Sequence, residues 1–146
     1  MNMTYETTTF AETYELGKSI GEKAKSGDVI ALVGDLGSGK TVFTQGFAMG
    51  LGISEIVNSP TFVILHEYGS GRLPLYHFDV YRINDIREMD DIGFSEYIYG
   101  DGVSLIEWAN LIEEILPAEI LRIEIKKDLE KGFDYRLITL ERDDYK

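Results

Sequence analysis

The sequence predicts a single α/β domain: a mixed parallel and antiparallel sheet flanked by helices. Three observations carry that prediction. A short apolar run, residues 29–34, leads through a glycine-rich loop into a helical pattern. Further strand-like runs alternate with helical ones, which favours parallel pairing. Two pairs of strand-like runs are instead joined by the turn sequences "GSGR" and "KDLEKG", so part of the sheet is antiparallel.

The elements follow in order. "TFAE" sets Thr9 three residues before Glu12, a capping box. It opens a helix over residues 10–25, with Phe10, Tyr14, Gly17, Ile20, Gly21 and Ala24 near one face and "SGD" as its stop. "VIALVG" is a buried strand, since a short continuous apolar run needs cover on both faces. After the loop, a helix from about Lys40 to Leu51 carries Phe43, Phe47 and Leu51 at i, i+4 spacing, and Gly50 and Gly52 end it. "TFVILHEY" and "LPLYHFDVY" form the first hairpin. Residues 84–101 are acidic and poorly patterned. "VSLIEW" is a second buried strand, and residues 109–116 a short helix stopped by Pro117. "LRIEIK" and "YRLITLE" alternate and form the second hairpin.

Composition narrows the chemistry. With 26 acidic against 14 basic residues the formal charge is −12, which disfavours direct capture of nucleic acid and suits docking on a basic partner. The chain has no cysteine, so disulfides, thiolate metal sites and cysteine nucleophiles are excluded. No stretch approaches the ~20 apolar residues of a membrane span. The first ten residues lack the basic start and apolar run of a signal peptide, so a cytoplasmic location is expected.

Gly34-Asp35-Leu36-Gly37-Ser38-Gly39-Lys40-Thr41 satisfies G-x-x-x-x-G-K-[ST] in full. Such a loop turns backbone N–H groups toward a phosphate, and the following helix adds the positive end of its dipole. Lys40 is suited to the β- and γ-phosphates and the Thr41 hydroxyl to Mg²⁺. The motif lies between a strand and a helix, as it must, and residues 1–146 read as one P-loop NTPase-like domain.

A phosphate loop also needs an acid for the metal and a group that orients the attacking water. Asp79 in "LYHFDVYR" and Glu107 in "VSLIEWA" both stand at the ends of strand-like runs. The run before Glu107 is the more apolar, but pattern alone leaves metal ligand and water positioner open between them. Thr61 in "NSPTF" is a third candidate, a switch-like threonine beside Pro60. His66 and His77 read as packing or hydrogen-bonding residues, not metal ligands. The acids Asp85, Glu88, Asp90 and Asp91 lack EF-hand spacing and read as a solvated face.

Taken together, "GDLGSGKTVFTQGFAMGLG", "VNSPTFVILHEY", "LYHFDVYRI" and "LIEWA" resemble the bacterial TsaE family in order and spacing, from about residue 9 to residue 140. Gln45-Gly46 stands where that family often has Arg-Gly. The resemblance implies a P-loop ATPase of tRNA threonylcarbamoyladenosine biosynthesis, slow alone, acting with the TsaD and TsaB proteins. It implies ATP and Mg²⁺ as cofactors, held by the loop residues and Thr41. It puts Glu107 on the magnesium-site acid, Asp79 on the catalytic-site acid, Thr61 on the switch threonine and Trp108 beside the site. Thr9, Phe10 and Arg136 are weaker carry-overs near the nucleotide. Two alternatives remain open at this level: a small-molecule P-loop kinase, and an assembly switch that works by nucleotide binding. The kinase lacks support from any arginine-rich lid, since six arginines are scattered along the chain.

Overall fold

The computed structural model describes residues 2–35, 37–57 and 64–143. Its sheet has seven strands: β1 (Asn2–Thr7), β2 (Val29–Val33), β3 (Leu65–Tyr68), β4 (Leu75–Asp79), β5 (Val103–Glu107), β6 (Ile120–Lys127) and β7 (Arg136–Asp143). In space they run β1-β7-β6-β2-β5-β4-β3. The inner strands β6, β2, β5 and β4 are parallel, while β3 and the β1–β7 pair close the edges antiparallel. The expected mixed sheet and both hairpins are present.

Burial on two faces explains the apolar run of β2. Ile30 and Leu32 enter one core with Phe43, Phe47, Leu51, Leu75 and Leu105. Val29 and Ala31 enter the other with Phe78, Ile106 and Ile112. The first core is covered by α1 (Phe10–Lys23) and α2 (Lys40–Gly50). The second is covered partly by α3 (Glu88–Asp91) and α4 (Phe94–Ile98), which bury Met89, Phe94 and Ile98. No helix among the described residues is long and apolar enough to cross a membrane.

Glycines set how close α1 and α2 come. A Cβ on Gly46 would lie 2.0 Å from the Tyr14 carbonyl oxygen, and one on Gly17 2.3 Å from that of Phe43. Gly21 and Gly50 are blocked in the same way, by the Phe47 and Lys18 carbonyls. Each glycine costs about 1 kcal/mol of helix propensity against alanine, so close backbone packing has to offset that loss.

Several elements depart from the sequence reading. The first strand, β1, has no apolar signal because it is an edge strand whose side chains are mostly exposed. Helix α1 ends at Lys23, not residue 25, because Ala24 is extended and the Asp28 carboxylate takes the Lys25 N–H at 2.8 Å. Arg72 Nη2 caps its end by donating to the carbonyls of Gly21, Glu22 and Ala24. Phe10 is 44% exposed and does not belong to the buried face of α1. Gly50 is the last residue of α2 and lies at the α1 contact, and Gly52 (φ 81°) follows it in left-handed backbone. The Gly52 and Ile53 N–H groups then close on Met49 and Ala48. Residues 84–101 hold α3 and α4, and the Glu88 carboxylate accepts from the N–H groups of Asn84 and Asp85. The short helix after Trp108 is a 3₁₀ helix, Ala109–Ile115, kinked at Ile112. Residues 61–63 of the first hairpin lie outside the described residues.

Gly46→Ala tests the helix contact. Overpacking costs typically about 1–3 kcal/mol, which exceeds the propensity gain of about 1 kcal/mol. Urea unfolding should therefore show a lower midpoint for the variant. A midpoint equal to or above wild type would contradict the contact.

Candidate nucleotide site

Strand register builds the cleft. Leu32 of β2 lies beside Glu107 of β5, and Glu107 beside Asp79 of β4. All three strands are parallel, so both carboxylates arrive at the same carboxyl-terminal edge of the sheet. The chain leaves β2 at that edge to form the loop of residues 34–39, and ligands in open α/β sheets bind there.

Gly37 (φ 77°) and Gly39 (φ 103°) both adopt left-handed backbone, which L side chains rarely do. Gly39 is the N-cap of α2. Gly34 serves another purpose: a Cβ there would lie 2.6 Å from Ser38 Oγ and 2.8 Å from the Ile125 carbonyl oxygen. The resulting cleft, about 300 Å³, is lined by Gly37, Gly39, Lys40, Thr41 and Val42, by Asp79, Glu107 and Trp108, and by Phe10 and Arg136. The structure thus gathers most of the residues expected from sequence. Thr9 instead caps α1, accepting the Glu12 N–H at 3.1 Å, while Glu12 reaches back to Thr8. Asp35 and Ser38 contribute carbonyls to the loop's internal bonding. Leu36 and Thr61 lie outside the described residues. A larger cavity, about 350 Å³, lies between α1 and the β6–β7–β1 end of the sheet and shares no residue with the cleft.

The charged groups are tightly held. Lys40 is buried; its Nζ donates to the carbonyls of Gly34 and Asp35 and lies 4.7 Å from the centre of the Trp108 ring. Burial pushes its pKa below the usual lysine value, against the pull of Glu107, Asp79 and Asp35. Asp79 moves the opposite way. Burial raises its pKa, opposed chiefly by the Tyr81 N–H that donates to Oδ1 at 3.0 Å, and the Glu107 charge adds to the rise. Glu107 is 3% exposed and shares a 2.6 Å hydrogen bond between Oε2 and His77 Nε2.

Two supporting residues complete the frame. Trp108 is the one non-glycine among the described residues with positive φ (62°), so the chain turns sharply after Glu107. Its indole lies against the Tyr81 ring, 4.6 Å between centres. Arg136 is also buried. Its Nε donates to the Ser38 carbonyl at 2.6 Å and its Nη1 to the Tyr135 and Phe133 carbonyls, tying the loop to the entrance of β7. Sequence reading attached Arg136 only to the nucleotide and gave His77 no place at the site. The one usable signal for His77 was its spacing, two residues before Asp79 on one strand and hence on the same face.

The donor set fits a magnesium ion. The Thr41 hydroxyl and one oxygen each of Glu107 and Asp79 have no hydrogen bond among the described residues. The described residues hold no group of three histidines or acids able to bind a metal alone. A cation here would complete its shell with nucleotide and water oxygens, as Mg²⁺ commonly does.

Fold and cleft together define a P-loop α/β protein. A family model described as "Threonylcarbamoyl adenosine biosynthesis protein TsaE" matches residues 7–136. The tRNA threonylcarbamoyladenosine biosynthesis protein TsaE of Bacillus subtilis (strain 168) is 58% identical over 128 residues, covering 88% of this chain and 78% of its own length. The protein of the same name from Treponema pallidum (strain Nichols) is 43% identical over 115 residues, covering 79% and 84%. The crystal structure of Bacillus subtilis YdiB superposes with a TM-score of 0.84 at 48% identity, covering 98% of this chain and 86% of that one. This chain belongs to the TsaE family.

The pKa of Asp79 yields a pH prediction. A carboxyl held more firmly protonated in the folded state loses stability as pH rises from its unfolded value through the raised folded one. Asp79→Asn keeps an acceptor for Tyr81 and removes that loss. The melting-temperature advantage of the variant over wild type should therefore be larger near pH 7 than near pH 4. Thermal unfolding at the two pH values checks it; a constant or reversed difference contradicts the assignment.

Proposed function

We propose that this chain serves tRNA threonylcarbamoyladenosine biosynthesis, the process of its family, as a Mg²⁺-dependent ATP hydrolase. In this reading, turnover drives or resets a TsaD–TsaB assembly that transfers the threonylcarbamoyl group to adenosine next to the anticodon. One observation carries it: Lys40 and Thr41 at the start of α2 share a single cleft with two carboxylates from neighbouring parallel strands. That set is what phosphoryl transfer to water requires. It provides a cation for the phosphates, a hydroxyl and an acid for the metal, and a second acid for the water.

Lys40 exchanges loop carbonyls for the β- and γ-phosphates, while the N–H groups of the loop and of the first turn of α2 receive the remaining phosphate oxygens. Thr41 and Glu107 would hold Mg²⁺, which when bound supplies positive charge against the phosphates. Asp79, half-buried and pinned by the Tyr81 N–H, orients the attacking water. The formal charge of −12 fits a component that docks on a partner and leaves tRNA contact to it.

The test is ATP hydrolysis with and without TsaD and TsaB, on wild type and three variants. TsaD–TsaB should stimulate the wild type. Lys40→Ala should lose turnover. Glu107→Ala should weaken Mg-ATP binding as well as hydrolysis. Asp79→Ala should keep nucleotide affinity and lose roughly 10²–10⁴ in rate. Wild-type turnover by Lys40→Ala overturns the reading. Rescue of Asp79→Ala, but not of Glu107→Ala, by excess Mg²⁺ exchanges the two acids.

A further inference from the structure

We propose that His77 is a positioning residue that holds Oε2 of Glu107 and so leaves Oε1 as that side chain's single oxygen for Mg²⁺; this rests on the magnesium reading above. His77 lies in β4 and pairs with Leu105 of β5, two residues before the Asp79–Glu107 pair. Side chains two apart on a strand share a face, so His77 stands behind Glu107 on the face that carries the site. It is 1% exposed and does not line the cleft, so it acts through Glu107 and not on a nucleotide.

The hydrogen-bond pattern shows where the ring carries a proton. Nε2 lies 2.6 Å from Oε2, while Nδ1 is buried with no partner among the described residues. A carboxylate only accepts, so the bond requires a proton on Nε2. Among the described residues the ring's one hydrogen bond is the one to Glu107. A side chain chosen for packing alone at this apolar position would not leave a buried nitrogen unpaired. Fixing a ligand's orientation through its unused atom is the usual work of residues behind a metal site.

The probe is a fluorescent ATP analogue titrated with Mg²⁺, and again in EDTA, on wild type, His77→Leu, His77→Asn and His77→Gln. A glutamine amide nitrogen reaches the place of Nε2, whereas that of asparagine stops near Nδ1. His77→Leu and His77→Asn should raise the half-saturating Mg²⁺ concentration by about 10–100-fold with affinity in EDTA unchanged, and His77→Gln should recover most of the loss. Equal shifts in all three variants, or none, overturn the role of His77. Wild-type binding that ignores Mg²⁺ overturns the magnesium reading, and this inference with it. The wild type gives a check independent of variant folding. Nitrogen-15 spectra of the imidazole should show a proton on Nε2, and a ring protonated on Nδ1 alone overturns the proposal.

Discussion

Parallel pairing of β2, β5 and β4 places Leu32 beside Glu107 and Glu107 beside Asp79, and the cleft depends on that register. Side chains alternate along a strand, so a slip of one residue would send either carboxylate to the opposite face, among Phe78 and Ile106. Large apolar side chains on both faces prevent the slip. Leu105 and Leu75 lock one side, Ile106 and Phe78 the other. The precision of the polar site is thus set by the two apolar cores.

The same packing makes the site electrostatically costly. Lys40, Glu107 and Arg136 are all buried, and Asp79 is half-buried. Buried charge persists only where partners replace water. Each has them: loop carbonyls and the Trp108 face for Lys40, His77 for Glu107, the Tyr81 N–H for Asp79, and loop and hairpin carbonyls for Arg136. The pKa shifts of Lys40 and Asp79 run in opposite directions for one reason, since burial disfavours the charged form of each.

How much of this the sequence displays depends on the kind of constraint. The phosphate-loop motif is legible because each of its two glycines is required: left-handed backbone at Gly39 admits few other residues, and a Cβ at Gly34 would meet Ser38 and Ile125. Strands β2 and β5 are legible because burial on both faces writes a continuous apolar run, and β5 delivers Glu107 at its end. Strand β1 is not, because an edge strand with exposed side chains pairs through its backbone with β7. His77 gives little signal beyond its spacing from Asp79, because its partner lies 30 positions away, beyond any local pattern. Arg136 gives little for the same reason: its targets are carbonyls, which every residue possesses. Trp108 was legible as a neighbour of the site but not as a left-handed corner, since a bulky residue there runs against backbone preference.

The bond from Arg136 to Ser38 joins residues 98 positions apart. Chains are made from the N-terminus at about 5–20 residues per second, so roughly 5–20 s separate the synthesis of the loop from that of its brace. During that interval a nascent chain carries the whole glycine-rich motif without the guanidinium that gathers its carbonyls. The last of the described strands thus braces a loop made long before it. A growing chain can therefore carry the complete glycine-rich motif before the bond that ties its loop to β7 can form.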